Sequence, residues 1–294
     1  MRPQLDAKVI AALVATVLPW ASAFAGIRVA LDSYNPFHLG LLRFLIASAA
    51  LLLYALATKM PWPPRRDLPA FALSGLLGIT FYHLALNYGQ LTVTAGSAGL
   101  LIGSSPVWTA LLARLVLGER LRPWGWLGIA LGFGGVILIT LGEGKAVGVE
   151  PGALLILLSA VSMSVFVVFQ KPYLRTYGAL RFTTYTIWAG TLLMLPLAGG
   201  LVDAVRAAPL GGTLAVAYLG LFPAALSYVT YAYILSRNPA SVTATFMYAV
   251  PALSLLAAWA WLGEVPTALA LLGGCLCIGG VVVVNTLGRA TPPA

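Results

Sequence analysis

Apolar runs of about twenty residues recur along the whole chain, the length an α-helix needs to cross a bilayer core. Short clusters of charged, proline, glycine or polar residues separate them. These breaks predict ten helices, near 8–30, 36–57, 68–89, 94–116, 122–141, 151–172, 179–200, 209–234, 240–262 and 266–287. The connections are short, so neighbouring helices are expected to form antiparallel hairpins. No stretch is long enough for an extramembrane domain. The first run passes Ala21-Ser22-Ala23-Phe24-Ala25, which resembles a signal-peptide cleavage site, but stays apolar to Ala30. We expect it to remain as an uncleaved first helix.

One stretch occurs twice. Residues 106–119 and 251–264 both read P-x4-L-x-A-x3-L-G-E, 145 positions apart. The register extends outside the motif: Tyr88 maps to Tyr233 and Ala95 to Ala240. Beyond it, Gly128, Gly134, Gly135 and Val136 map to Gly273, Gly279, Gly280 and Val281. A repeat of this length implies two homologous halves, 1–145 and 146–294, of five helices each.

Composition agrees. About 60% of the 294 residues are hydrophobic and 9% are charged, against roughly 45–50% apolar in a soluble domain. Lys and Arg are distributed unevenly among alternate loops. Arg2, Lys8, Lys59, Arg65, Arg66, Arg114, Arg120, Arg122, Lys171, Arg175, Arg181, Arg237 and Arg289 fall on one side. Arg28, Lys145 and Arg206 fall on the other, and Arg43 lies within a span. This bias predicts that both termini are cytoplasmic. Because five is odd, the second half must cross the membrane in the opposite sense to the first. Inverted repeats of this kind typify secondary transporters with a midplane site between the halves.

Catalytic chemistry is sparse. The eight acidic residues, Asp6, Asp32, Asp67, Glu119, Glu143, Glu150, Asp203 and Glu264, fall in loops or at helix ends. Their absence from span interiors argues against carboxylate-based proton coupling, a cation site built on a salt bridge, and a Mg²⁺-dependent diphosphate enzyme. There is no Ser-His-Asp set, metal-ligand cluster or phosphate loop, so neither an enzyme nor a cofactor is expected. Cys275 and Cys277, two apart on a helix, point to different faces and read as apolar filler.

Polar and aromatic residues nevertheless gather at matching depths. His83 and Asn87 share a helix face with Tyr82 nearby, and the repeat places Tyr228 at the position of His83. Ser227 and Tyr231 flank that counterpart. Ser104 and Trp108 bracket Pro106, Thr245 and Tyr248 precede Pro251, Trp20 follows Pro19, and Ser164 lies midway along the sixth span. These twelve residues are the expected lining of a cavity suited to small amphiphilic solutes, rings by stacking and hydroxyls by orienting polar ends. Arg43 is expected to snorkel or bond to carbonyls at a helix end, the alternative being a contact to a substrate carboxylate. His38 is expected at the interface. Pro19, Pro106, Pro223 and Pro251 lie within spans, where each frees a carbonyl and bends the helix, making them candidate hinges. The glycines of the fifth and tenth spans offer smooth faces for close packing, which we read as scaffold. Glu119 and Glu264 are expected to bond to neighbouring helix ends.

Ten spans in two inverted halves, with Leu-Gly-Glu closing the fourth helix and Gly-Gly-Val in the fifth of each, resemble the drug/metabolite transporter superfamily, EamA type. Residues 19–24 are similar to that family's first-helix tryptophan motif and Arg43-Phe44 to its second-helix motif. The resemblance covers essentially the whole chain. It implies helices 1–4 and 6–9 around a central cavity, with 5 and 10 packed at one side, in a multi-pass protein of the bacterial inner membrane. It also implies export of small metabolites, most narrowly amino acids including aromatic ones. The expected fold is an all-α polytopic membrane protein of ten transmembrane helices in two inverted-topology five-helix repeats around a central cavity. Its expected partners are a small-molecule substrate and the lipid bilayer, without nucleic acid; oligomeric state is left open, with a monomer plausible. A multidrug or quaternary-cation exporter on the same fold is the alternative, and a membrane enzyme a remote one.

Overall fold

The computed structural model describes residues 6–93, 98, 101–142, 151–254 and 267–288. Glu264 lies outside them. The described elements are helical throughout. We number them α1 Ala7–Leu31, α2 Pro36–Ala57, α3 Arg65–Gly89, α4 Ser105–Leu117, α5 Pro123–Gly142 and α6 Pro151–Met194. Then follow α7 Leu201–Ala207, α8 Leu210–Arg237, α9 Ala240–Ser254 and α10 Ala268–Thr286. Five of these, α1, α2, α3, α6 and α8, are long and apolar enough to cross a membrane, and four shorter apolar helices accompany them.

The observed helices depart from the expected spans at two places. The sixth and seventh spans, together α6, part inside the expected break between 172 and 179, at Gly178. Its φ of 71° is open to glycine and costly for other residues. The seventh span is expected to reach residue 200, yet α6 ends at Met194 and a 3₁₀ turn takes over at Leu195–Leu197, where Pro196 supplies no donor. The fourth is interrupted at Gly103–Ser104, so Pro106 sits in the first turn of α4 rather than midway along a helix. There its missing N–H costs nothing, because first-turn amides have no intrahelical partner.

Both α3 and α8 contain a π turn, Leu76–Phe81 and Gly220–Leu226. Shifted by 145, the first falls inside the second. Four carbonyls at equivalent positions of these turns are taken up by side chains from other parts of the bundle or the same helix. Leu77 O accepts from Ser162 Oγ at 2.9 Å and Phe222 O from Ser227 Oγ at 3.1 Å. Gly78 O accepts from Tyr228 Oη at 2.9 Å and Pro223 O from Trp20 Nε1 at 2.8 Å. A π turn widens the helix and leaves such carbonyls in need of outside donors.

Helices α5 and α10 pack along each other through glycine. A Cβ on Gly135 would lie 2.5 Å from Gly273 O, and one on Gly280 would lie 2.5 Å from Gly128 O. These two contacts exchange under the 145-residue shift. Gly134 and Gly279, also equivalent, have nothing among the described residues within 4 Å of a built Cβ. The glycine-rich face is therefore narrower than expected and excludes that pair.

Leu117, Gly118 and Glu119 close α4. Gly118 takes the left-handed conformation at φ 67°, and the Glu119 N–H returns to Ala113 O at 3.2 Å. That turn sends the Glu119 side chain, 9% exposed, onto the start of α9. Its carboxylate accepts from Ala240 N at 2.8 Å, Ser241 N at 3.0 Å and Ser241 Oγ at 2.7 Å. An anion bonded to free amides at a helix start is favoured by the helix dipole. Lys171 Nζ donates to Leu235 O and Asn238 O just before that start. The α8–α9 connection is thus held from both sides.

Candidate functional site

A cavity lies between α1, α2, α3, α4, α6, α8 and α9. The space open to the centres of water-sized spheres is about 90 Å³, room for several waters or a small organic molecule. Its walls are mostly apolar, with the polar groups concentrated on Arg43, Tyr82, His83, Ser105, Thr109, Tyr228 and Tyr231.

The polar wall is organised by α3 and α8. Tyr228 Oη donates to Gly78 O, so it presents a lone pair to His83 Nε2, 2.9 Å away. On the other side of the imidazole, Arg43 Nη1 is 3.5 Å from His83 Nδ1. A guanidinium can only donate and a carbonyl can only accept, so the ends of this chain fix its direction. It runs from Arg43 to His83 Nδ1, from His83 Nε2–H to Tyr228 Oη, and from Tyr228 to Gly78 O. Phe44 and Tyr82 enclose the imidazole with ring centroids 4.6 and 4.7 Å away. Trp20 faces Tyr228 and Tyr231 at 5.7 and 5.3 Å, its indole N–H fixed on the π turn of α8. Among the described residues, the hydroxyls of Tyr82 and Tyr231 have no hydrogen-bond partner, and Ser105 Oγ is buried without one.

Of the twelve expected lining residues, the cavity brings together Trp20, Tyr82, His83, Tyr228 and Tyr231. The others turn elsewhere. Asn87 shares the His83 face but donates to Pro36 O at 3.2 Å, at the start of α2. Ser104 Oγ bonds to Leu101 O and receives Trp108 Nε1, and Trp108 lies on an exposed face. Ser164 Oγ donates to Ala160 O and Ser105 O, bridging α6 to α4. Ser227 Oγ reaches Ala15 O at 3.2 Å, the carbonyl that Pro19 frees in α1. Thr245 bonds to Val242 O within its own helix. Tyr248 is fully buried against Gly132 of α5, with its hydroxyl on Ile129 O.

Arg43 corrects an expectation. It is 3% exposed and lines the cavity rather than snorkelling to an interface. Position on α2 explains this: Leu39, Leu41, Phe44 and Ala47 around it are all fully buried, so its face of the helix looks inward. Ser105 and Thr109, four apart on one helix face, also line the cavity, and the same spacing of Ser104 and Trp108 hides the distinction in the sequence. His38 reaches Gly199 O at 2.9 Å near the end of the bundle.

The EamA-like transporter family model matches this chain twice, over residues 7–141 and 150–286. The chain belongs to the EamA-like transporter family. Among curated relatives, the uncharacterized transporter YdfC of Bacillus subtilis is 45% identical, covering 89% of this chain and 86% of its own. A probable terminal-alkyne amino-acid exporter of Streptantibioticus cattleyicolor is 41% identical, covering 96% of this chain and 95% of its own. One solved crystal structure shares the fold with a TM-score of 0.76 at 22% identity, covering 94% of this chain and 96% of that one. This EamA family member is accordingly a multi-pass membrane transporter for small molecules, and the cavity is its candidate substrate site.

Proposed function

We propose that the chain is a secondary transporter that exports small amphiphilic metabolites, amino acids including aromatic ones, by alternating access. The observation that carries this reading is the cavity itself. Its walls come from both halves of the sequence, and rings, free hydroxyls and one buried cation converge on it. Amino-acid export also follows the Streptantibioticus relative, a probable terminal-alkyne amino-acid exporter.

In this reading ten spans form two inverted five-helix repeats, 1–145 and 146–294, with both termini in the cytoplasm. Support comes from contacts that exchange under the 145-residue shift. The Gly135–Gly273 and Gly280–Gly128 approaches are one such pair, and the two π turns match in position. Positions 83 and 228 touch their own counterparts, as do 132 and 277. Contacts of this kind arise on a two-fold axis relating the halves. The breaks at Pro19, Pro106, Pro223 and Pro251 are the points where a half-bundle would flex. Trp20, Tyr82, Tyr228 and Tyr231 contact the substrate, by ring packing and hydrogen bonds, and His83 lines the same wall.

The quaternary-cation alternative fits less well. A guanidinium in the wall repels a cation, and no acidic residue lines the cavity among those described. Flux into proteoliposomes decides between them, using labelled phenylalanine, labelled leucine and a labelled quaternary ammonium, with and without a pH gradient. We expect saturable movement of the amino acids and little of the ammonium. Movement of the ammonium alone would reverse the choice, and movement of none would remove the transport reading. A His83→Ala variant that inserts normally should lose most of the amino-acid flux, and unchanged flux would remove His83 from the site.

A further inference from the structure

Arg43 is a permanent cation in the cavity wall with no carboxylate within salt-bridge distance among the described residues. Its neighbours there are neutral: His83 Nδ1 at 3.5 Å and the face of Phe44, 5.6 Å from the guanidinium carbon. Among the described residues, the buried Nε has no hydrogen-bond partner. A buried cation left in this way is unfavourable unless an anion arrives to meet it. The guanidinium fork matches a carboxylate through two parallel N–H···O bonds, which a point charge such as lysine does not reproduce.

We propose that Arg43 anchors the carboxylate of the substrate, and that His83 holds the guanidinium in place while the site is empty. This rests on the transport reading above and specifies its substrate class as monocarboxylates with an apolar or aromatic body. The hydrogen-bond chain supplies the second role. Its far end is tied to the backbone at Gly78 through Tyr228, so His83 offers Arg43 an acceptor of fixed position. The hold is weak, at the limit of hydrogen-bond distance and between a cation and a neutral ring, so a carboxylate displaces it. The rings of Trp20 and Tyr231 then border the body of the substrate, and the free hydroxyls of Tyr82 and Tyr231 can accept from an ammonium group. His83 is thus a positioning residue, and Arg43 a binding residue.

Three probes that differ at one group test this: L-phenylalanine, L-phenylalaninamide and phenethylamine. Each is presented to the full chain in proteoliposomes, and half-saturation is read from flux and from ligand-induced shift of the melting temperature. For the unaltered chain we expect phenylalanine to bind on the order of 100-fold more tightly than either amine, the size of a two-bond charged contact. In Arg43→Met that preference should fall to roughly threefold or less, with amide binding unchanged or improved. Arg43→Lys should keep about a tenth of the preference, retaining the charge and losing the fork. His83→Gln, which keeps an acceptor, should preserve the acid-over-amide ratio better than His83→Leu, an outcome a merely structural histidine would not give.

If the unaltered chain moves acid and amide equally well, or Arg43→Met keeps the preference, the anchor is wrong while transport stands. Should the Met variant not fold, the Lys variant decides by the same ratio. Failure of the unaltered chain to move any solute tested would overturn the transport reading, and the anchor with it.

Discussion

Removing the Glu119 carboxylate should separate two parts of the bundle that are far apart in sequence. The side chain is buried at 9% exposure and accepts three hydrogen bonds from Ala240 and Ser241, between 2.7 and 3.0 Å. Hydrogen bonds to a charged group contribute about 1.5–3 kcal/mol each, and a buried donor left unpaired costs about 1–3 kcal/mol. Glu119→Gln keeps one oxygen, so Ala240 N can stay bonded while the new amide faces the Ser241 N–H, donor against donor. The Ser241 hydroxyl can rotate to accept from that amide. One contact is lost, giving an expected cost of about 2 kcal/mol. Glu119→Ala loses all three and strands two amides; some water entry at this depth offsets part of the sum, giving about 4 kcal/mol. Lys171 holds the other side of the same connection, so the combined Glu119→Ala, Lys171→Met variant should cost less than the two singles added together. Equilibrium unfolding in mixed micelles, followed by tryptophan fluorescence, measures each. If both Glu119 variants lie within about 0.5 kcal/mol of the unaltered chain, below even a single ordinary hydrogen bond, the contact does not hold the helices together. Equal damage from Gln and Ala would show that charge, and not the count of acceptors, carries it.

Two further outcomes follow from the packing. Gly135→Ala and Gly280→Ala each drive a methyl to 2.5 Å from a carbonyl oxygen of the facing helix, and should cost about 2 kcal/mol or more by forcing α5 and α10 apart. Gly134→Ala and Gly279→Ala meet open space and should be neutral or stabilising by about 0.5–1 kcal/mol, so reversal of the two pairs in the same unfolding assay would refute the interface. Ser227→Ala should cost about 1–2 kcal/mol by leaving Ala15 O and Phe222 O short of a donor, while half-saturation for phenylalanine stays unchanged. A several-fold change in half-saturation would return Ser227 to the substrate site.

The helices were legible because bilayer thickness imposes a length on each apolar run, and the predicted 36–57 coincides with Pro36–Ala57. The breaks inside them were less so. Pro106 reads from sequence as a mid-span kink, whereas Gly103 and Ser104 end one segment before it and α4 starts anew. The π turns leave no mark in hydrophobic periodicity, since the helical stretches before them are apolar nearly all round and carry little periodic pattern for an added residue to shift. The direction of the polar side chains was not legible. The hydroxyls of Ser164, Ser227 and Thr245 each satisfy a backbone carbonyl, the nearest partner in an apolar surrounding. Tyr228 and His83 were found because the repeat aligned them. For Arg43 the sequence leaves snorkelling and a substrate contact both open, because a long cationic side chain near a helix end usually escapes to water, and only the burial of its neighbours shows that this one does not.

The contact between His83 and Tyr228 has a consequence for how the two halves could diverge. Where a position meets its own counterpart, two identical halves would set a residue against its duplicate. Two histidines, or two tyrosines, would give a bond with no inherent direction. A different residue on each side lets the proton order run one way, from the cation on α2 to the carbonyl on α3. One wall of the cavity then has a charged end that its mirror wall lacks. A solute with a distinct head and tail would enter such a chamber in a single orientation, which a difference between the two copies at this one position would set.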